Sequence, residues 1–475
     1  MTKARLLPLA GAIAAVLLSG TAMASETTTE TLNLKPTDIL TDGWQVNGYI
    51  RAGWRVNENG TSTGNEYGKP DYNVAGTTGK NANQVEFNVS KNTTFQNGVW
   101  SQLGVRAEYG NGDSSFYSST GSEDSNNDGE GSFEIKEAFM RLGGFSYLPE
   151  NAEIWAGRRF LNREQGLLSG EFWKQSSGVG FGYEQSGNGI AVVSVDPGEK
   201  SEKPEGKTIH SLDLYSYNHE ALGGSFNFDA KFMMAGDKDK YADNEATDGI
   251  GLALTYKRDY YGLDGWTATA LAYGNGLAAN RGVNFGQWSG GTSTVDSDKG
   301  NSIFFTSYGV MNINDHWQLA TEITYLRGEK IWGLGSDTKF DPDKEIANDE
   351  IYYKSEGDTV DRLLIAARPT YKVNENFRWE FTGSYGYEKD YWGHREVDGN
   401  LVEGGAKAET TFYAAEIAAV FTVNSDYFGR PQIKPFITYM VRDADNKYED
   451  QKGWGDEFDN DDKTFQFGVE AEIWF

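Results

Sequence analysis

The sequence predicts an all-β chain folded as a single transmembrane antiparallel β-barrel. Three observations carry that prediction: an export signal at the start, period-two alternation recurring along the chain, and a last segment that alternates to its final residue. Thr464–Phe475 (TFQFGVEAEIWF) puts Phe465, Phe467, Val469, Ala471, Ile473 and Phe475 on one face. Gln466, Gly468, Glu470, Glu472 and Trp474 fall on the other. Alternation over this length describes a strand with one apolar and one wet face. Ending on such a strand with a terminal aromatic is a habit of bacterial outer-membrane barrels, whose last strand closes onto the first.

The N-terminus supplies the address. Lys3 and Arg5 form a positive n-region, Leu6–Leu18 an apolar h-region, and Ala22-Met23-Ala24 an A-x-A cleavage site. Residues 1–24 therefore read as a secretory signal peptide, too short in its apolar core to span a bilayer. Residues 25–42 are polar and Thr-rich and read as a short flexible extension. Residues 43–475 read as one barrel domain, and no apolar run there is long enough for a spanning helix.

Composition narrows the class. The chain has 58 Gly, 13 Trp, 26 Tyr and 26 Phe, with 10 Pro, and a mean hydropathy of −0.60. A barrel in which only alternate residues meet lipid has this polar average. A secreted β-rich carbohydrate-binding protein has it too, so composition leaves both open. Zero Cys excludes disulfides, thiol catalysis and cysteine metal sites. The four His (His210, His219, His316, His394) have no zinc spacing.

The net charge is −27, and removing Lys3 and Arg5 takes it to about −29. Such acidity argues against nucleic-acid partners, which need a basic face. Much of the acid lies in Asp113–Gly131, Ser293–Gly300, Asp337–Asp349 and Tyr448–Asp462, which read as solvated extracellular loops. No cofactor is expected. Asp124-Ser125-Asn126-Asn127-Asp128-Gly129 matches the first half of a calcium loop, but Ile135 stands where the twelfth, acidic ligand belongs. A plain acidic loop is the simpler reading, and weak Ca2+ binding by the acidic loops is the sharper one.

Between these ends the pattern is strand, polar loop, strand. Trp44–Trp54 sets Trp44, Val46, Ile50, Ala52 and Trp54 against Gln45, Asn47, Tyr49 and Arg51. Val85, Phe87 and Val89 alternate with Glu86 and Asn88. Phe226, Phe228, Ala230 and Phe232 oppose Asn227, Asp229 and Lys231; Phe377, Trp379, Phe381, Tyr385 and Tyr387 oppose Arg378, Glu380, Thr382 and Ser384. Repeated charge on the wet face suits a water-filled lumen as well as bulk solvent, and the signal peptide and last strand favour the lumen. A repeat of ~24 residues over ~430 gives ~18 strands, with 16 also compatible. If the first and last strands pair, Tyr49 and Trp474 both project inward. An aromatic plane there can stack the apolar C–H face of a pyranose while charged neighbours such as Arg51, Glu86, Glu470 and Glu472 bind hydroxyls. The alternative for an aromatic near a strand end is a headgroup-level girdle.

These residues resemble a family. Gly48-Tyr49-Ile50-Arg51, Lys136-Glu137-Ala138, Ile154-Trp155-Ala156-Gly157-Arg158-Arg159-Phe160, Arg163, Trp173 and Ser177-Gly178 match the maltoporin family of trimeric, 18-stranded sugar-specific porins. So do Gly265-Trp266, Arg368-Pro369-Thr370-Tyr371-Lys372, Arg430-Pro431-Gln432-Ile433-Lys434 and Glu472-Ile473-Trp474-Phe475. The resemblance implies an aromatic slide along the channel, with Tyr49, Trp266 and Trp474 at slide positions. It implies a polar track of Arg51, Glu86, Lys136 and Arg163, and an inward-folded constriction loop over about Asn162–Ser177 with Phe172 at its tip. The aromatic lent by a neighbouring subunit is replaced here by Phe116 or Tyr117. Gln84, Arg362–Leu363, Gly170 and Gln175 depart from the pattern, each lacking the family's aromatic or aspartate. The resemblance thus implies a homotrimer in outer-membrane lipid, passing an oligosaccharide without covalent chemistry. The departures imply a wider or differently selective channel, for sucrose-, raffinose-, β-glucoside- or maltodextrin-type sugars. The competing readings are a general-diffusion porin and, more remotely, a secreted carbohydrate-active enzyme.

Overall fold

The fold is that of a computed structural model, which describes residues 43–60, 75–76, 84–110, 132–195, 208–240, 246–285, 300–329, 351–352, 359–397, 400–447 and 462–475. The acidic stretches, the calcium-like loop, Phe116, Tyr117 and residues 1–42 lie wholly or almost wholly outside these. In chain order the strands are β1 (Gly43–Asn57), β2 (Gln84–Thr94), β3 (Trp100–Gly110), β4 (Ser132–Gly143), β5 (Ala152–Gln165), β6 (Phe172–Gln185) and β7 (Asn188–Val195). Next come β8 (Ile209–Ala221), β9 (Gly224–Ala235), β10 (Asp248–Tyr260), β11 (Leu263–Asn275), β12 (Asn284–Phe285), β13 (Asn301–Asn312) and β14 (Trp317–Glu329). The last are β15 (Ile351–Tyr352), β16 (Thr359–Asn374), β17 (Phe377–Val397), β18 (Asn400–Thr422), β19 (Gln432–Lys447) and β20 (Asp462–Trp474).

All but the short β12 and β15 form a closed barrel of 18 antiparallel strands. Each pairs with the next, and β1 pairs with β20 in the register Tyr49↔Trp474, Arg51↔Glu472 and Trp54↔Val469. Closure is required because lipid cannot satisfy the N–H and C=O groups of a free edge. Among the described residues no helix is long and apolar enough to cross a membrane, a statement that does not touch strands.

Burial follows the parity read from the sequence. Phe465, Phe467 and Val469 point outward, while Gln466 and Glu470 are buried. Phe228 and Phe232 are exposed, against buried Asn227, Asp229 and Lys231; Trp379 and Phe381 are exposed, against buried Arg378, Glu380 and Thr382. An inverted pattern of this kind, apolar outside and charged inside, is what lipid around a polar lumen dictates. Inward charges are paired: Lys174 with Asp229 at 2.6 Å, Lys231 with Asp213 at 2.7 Å and Arg141 with Glu153 at 2.6 Å.

The two ends differ. One has tight turns, as at Ser186-Gly187 and Leu222-Gly223, where both residues of each pair have positive φ. Such left-handed pairs match the twist of the flanking strands, and glycine takes the second place without a Cβ penalty. At the opposite end lie the strand ends that flank the acidic stretches of the sequence. Two segments fold into the lumen from that end. The connection between β5 and β6 is shorter than the expected Asn162–Ser177, because β5 runs to Gln165 and β6 starts at Phe172. The segment 276–285 turns back so that β12 pairs in parallel with Gln175 and Ser176 of β6. Together they bury Trp173 against Phe304, rings stacked at 5.8 Å, amid Ala253, Ala270, Ala272, Ala279 and Val283. A second dry cluster includes Trp155, Leu161, Val193, Tyr215, Met233, Leu277 and Phe285. The lumen is thereby filled against β5–β13, opposite the β1–β20 seam.

Candidate functional site

The seam assembles the first group of residues. Tyr49 on β1 lies opposite Trp474 on β20 and, on its other side, opposite Glu86 on β2. The three sit at one level on three adjacent strands, all facing inward. Arg51 donates from Nε and Nη2 to Glu470 Oε2 at 2.9 and 2.6 Å. Arg55 reaches the same carboxylate oxygen at 3.1 Å. Glu86 accepts from Gln84 Nε2 at 2.5 Å and from the Arg106 guanidinium.

Lys136 enters through an irregularity. Arg106 pairs with Glu137 but Ala107 with Ile135, so Lys136 is the extra residue of a bulge on β4. Both Lys136 and Glu137 are buried, which strict alternation would forbid. Lys136 hydrogen bonds to Glu134. Further along, Arg163 lies over the Phe172 ring at 3.7 Å and the Phe160 ring at 5.0 Å, with Arg106 on Phe160 at 5.1 Å. Phe172 is thus half-buried at the start of β6, one face already taken by a cation.

Trp266 is not part of this group. It sits on β11, across the lumen, edge-on to Tyr308 at 6.2 Å and stacked on Phe428 at 6.3 Å. Phe428 belongs to the 423–431 turn between β18 and β19, and from that same turn Arg430 lies over the Trp474 ring at 5.0 Å. Arg430 Nε also donates to Glu472 at 2.5 Å. The turn links the two tryptophans, and sequence reading had singled out neither Phe428 nor Arg430 as site residues. Tyr117 lies outside the described residues.

The constriction loop has an anchor of its own. Glu322 on β14 accepts from the backbone N–H of Leu168 at 2.5 Å and of Ser169 at 3.1 Å, and from Ser169 Oγ at 2.6 Å. Glu171 pairs with Arg362 of β16 at 2.5 Å and Arg281 of the infolded segment at 2.7 Å. Burial by itself pushes the Glu171 carboxyl up, but the two guanidiniums outweigh it and hold it below the usual carboxylate range. Arg362, which read as a missing slide aromatic, is a latch for the loop. Among the described residues no group of three His, Cys, Asp or Glu could hold a metal.

Comparison with known proteins gives this lumen its context. The family model described as LamB porin matches residues 44–475. The maltoporin of Vibrio cholerae serotype O1, strain Classical Ogawa 395, is 24% identical over 493 residues, covering 100% of both chains. That of strain El Tor Inaba N16961 is 24% identical over 485 residues, covering 98% of each. Among solved structures, Pseudomonas aeruginosa OpdK with vanillate covers 92% of this chain and 100% of its own at 10% identity and a TM-score of 0.44. Acinetobacter baumannii OccAB4 covers 92% and 99%, also at 10% and 0.44. With a matched family model from the first barrel strand to the last residue, this chain belongs to the LamB porin family, and it is an outer-membrane channel, not an enzyme.

Proposed function

We propose that the channel gives passive, saturable diffusion of oligosaccharides, binding them on aromatic planes flanked by charged hydrogen-bonding groups. The observation that carries this is the Tyr49–Trp474–Glu86 row across β1, β2 and β20. A pyranose offers an apolar face and a rim of hydroxyls, and this row offers two aromatic rings beside a carboxylate. Trp266 and Phe172 extend the stacking surface, and Arg51, Lys136 and Arg163 the polar track. The full-length relatives named maltoporin support the substrate class. The missing aromatics and carboxylates at Gln84, Gly170 and Gln175 favour a relaxed selectivity, with sucrose-, raffinose- or β-glucoside-type sugars as good substrates as maltodextrins. The working form is a homotrimer whose chain is exported by a cleaved signal peptide.

The test is block of ion current through single channels in planar bilayers, titrated with sucrose, raffinose, cellobiose and maltohexaose. Saturable block by at least one sugar is expected. Micromolar block by maltohexaose would sink the relaxed-selectivity part. No saturable block by any sugar, with liposome swelling governed by solute mass alone, would leave a general-diffusion porin. A heat-modifiable trimer in detergent-extracted outer membrane is the expected assembly, and a monomer there would overturn that part.

A further inference from the structure

We infer that the outer wall across β14, β16 and β17, at the end opposite the tight turns, binds one bisphosphorylated glycolipid of the outer leaflet, with Arg327 and Lys389 as the cations that hold its two phosphates. The site lies outside the lumen and is independent of what the channel passes. Four residues stand directly opposite one another on adjacent strands: Arg327 on β14, Asp361 on β16, Lys389 on β17 and Glu409 on β18. Their chain neighbours Leu326, Arg362 and Glu388 are buried on the inner side, so alternation turns the row outward.

The level of the row follows from the wall below it. Toward the tight turns the same face carries Ile323, Ile365, Phe381 and Ile417, all exposed where lipid covers them. Tyr325 and Tyr387 come between and hand their hydroxyls upward, Tyr325 to Asp361 Oδ1 at 2.8 Å and Tyr387 to Glu409. Phe377 and Lys389 lie twelve residues apart on β17, which is about 40 Å of strand and ~30 Å of height at a tilt of about 40°. The apolar band of such a barrel is about 25 Å tall and ends in an aromatic girdle. Tyr325 and Tyr387 thus belong to the girdle, and the charged row stands at headgroup level.

The charges choose the lipid. Asp361 already holds the Tyr325 hydroxyl and Arg327 Nη1 at 3.4 Å, while the Arg327 side chain stays 53% exposed. Lys389 makes no ion pair with any described residue. An unpaired cation on the lipid side of a chain with net charge −27 calls for an anion from the membrane itself. Arg327 and Lys389 are two strand spacings apart, about 10 Å. One phosphate cannot bridge them, whereas phosphates at the two ends of a disaccharide can. Asp361 between them and Glu409 beside them then accept sugar hydroxyls. A compact glycerophospholipid headgroup would use one cation and set its own phosphate against the acids.

The experiment is native mass spectrometry of the full-length channel in detergent, titrated with bisphosphoryl lipid A, monophosphoryl lipid A and phosphatidylglycerol. The wild type is expected to hold the bisphosphoryl form most tightly. Lys389→Gln and Arg327→Gln should each weaken it roughly fivefold, with Lys389→Arg near wild type and single-channel conductance unchanged as the check on folding. Lys238→Gln, which removes an exposed cation in the β9–β10 connection, should leave binding as it is. Unchanged binding in both strip variants overturns the site, and so does an equal loss in Lys238→Gln, which shows general charge attraction only. Phosphatidylglycerol held as tightly, with the same dependence on Arg327 and Lys389, overturns the glycolipid assignment. Dissociation of an oligomer by Lys389→Gln makes the strip a subunit interface and overturns it as well.

Discussion

At the residue scale, Trp474 and Glu171 show two uses of an inward position. Trp474 reads in the sequence as an odd aromatic among glutamates, and the register sets it opposite Tyr49 with Arg430 over its ring. Trp474→Ala is expected to weaken sugar block about tenfold to hundredfold, a stacking loss of about 1–3 kcal/mol; titration of channel block measures it. Glu171 works by charge. Because its folded pKa is depressed by Arg362 and Arg281 against the opposing effect of burial, its latch is fully present above the ordinary glutamate range and is lost as pH falls through the depressed value. Channel conductance should therefore hold steady from neutral pH down to about 4 and become larger or noisier only below that. Glu171→Gln should show the acid behaviour already at neutral pH, since removing one partner of a buried pair costs on the order of 3–5 kcal/mol.

At the element scale, the infolded segments decide how much of the lumen is open, and neither was fully legible. The wall strands were, because inward and outward residues differ in chemistry at every second position. Lys136 escaped that rule: a bulge makes it share the inner face with Glu137, and nothing local in Ile135–Glu137 marks the extra residue. The segment 276–285 escaped too, since its parallel pairing with Gln175 and Ser176 joins residues more than 100 positions apart. Glycine lets it lie against the wall: a Cβ at Gly251 would come within 1.6 Å of the Gly282 carbonyl oxygen. Gly251→Ala should displace the segment at a cost of about 1–3 kcal/mol, read as raised conductance and a lower melting temperature in detergent. Gly383→Ala, whose added Cβ meets nothing within 4 Å, should change neither.

At the scale of the whole molecule, the barrel is a sorting of polarity by lipid outside and water inside. Ile437 is half exposed on the outer face of β19, and its neighbour Thr438 is fully buried inside, where it donates to Glu416 at 2.9 Å. Ile437→Arg should destabilise the folded barrel by about 2–4 kcal/mol if the site is near the bilayer midplane. Thr438→Val, which removes only the inner hydroxyl, should cost about 1–3 kcal/mol through the hydrogen bond that the Glu416 carboxylate loses. Reversible urea titration in lipid vesicles measures both, and an Ile437→Arg barrel as stable as wild type would refute the placement of Ile437 on the lipid face.

Taken alone, the sequence determined the inward or outward side of residues in the clearly alternating strands, such as Trp44–Trp54, Phe377–Tyr387 and Thr464–Phe475, and the meeting of the first strand with the last. Both follow from the two-residue period of a strand and from the need to leave no edge in lipid. Tertiary structure decided which inward residues meet: Glu322 with the constriction loop, Arg362 with Glu171, Phe428 with Trp266, and Arg430 with Trp474. The first three cross the lumen, while Arg430 reaches Trp474 from the neighbouring strand end, and the crossings depend on how far each connection folds inward. Local periodicity carries no trace of that distance. The odd tryptophan of the last strand was visible in the sequence, while the turn that reaches toward it became visible only in the closed barrel.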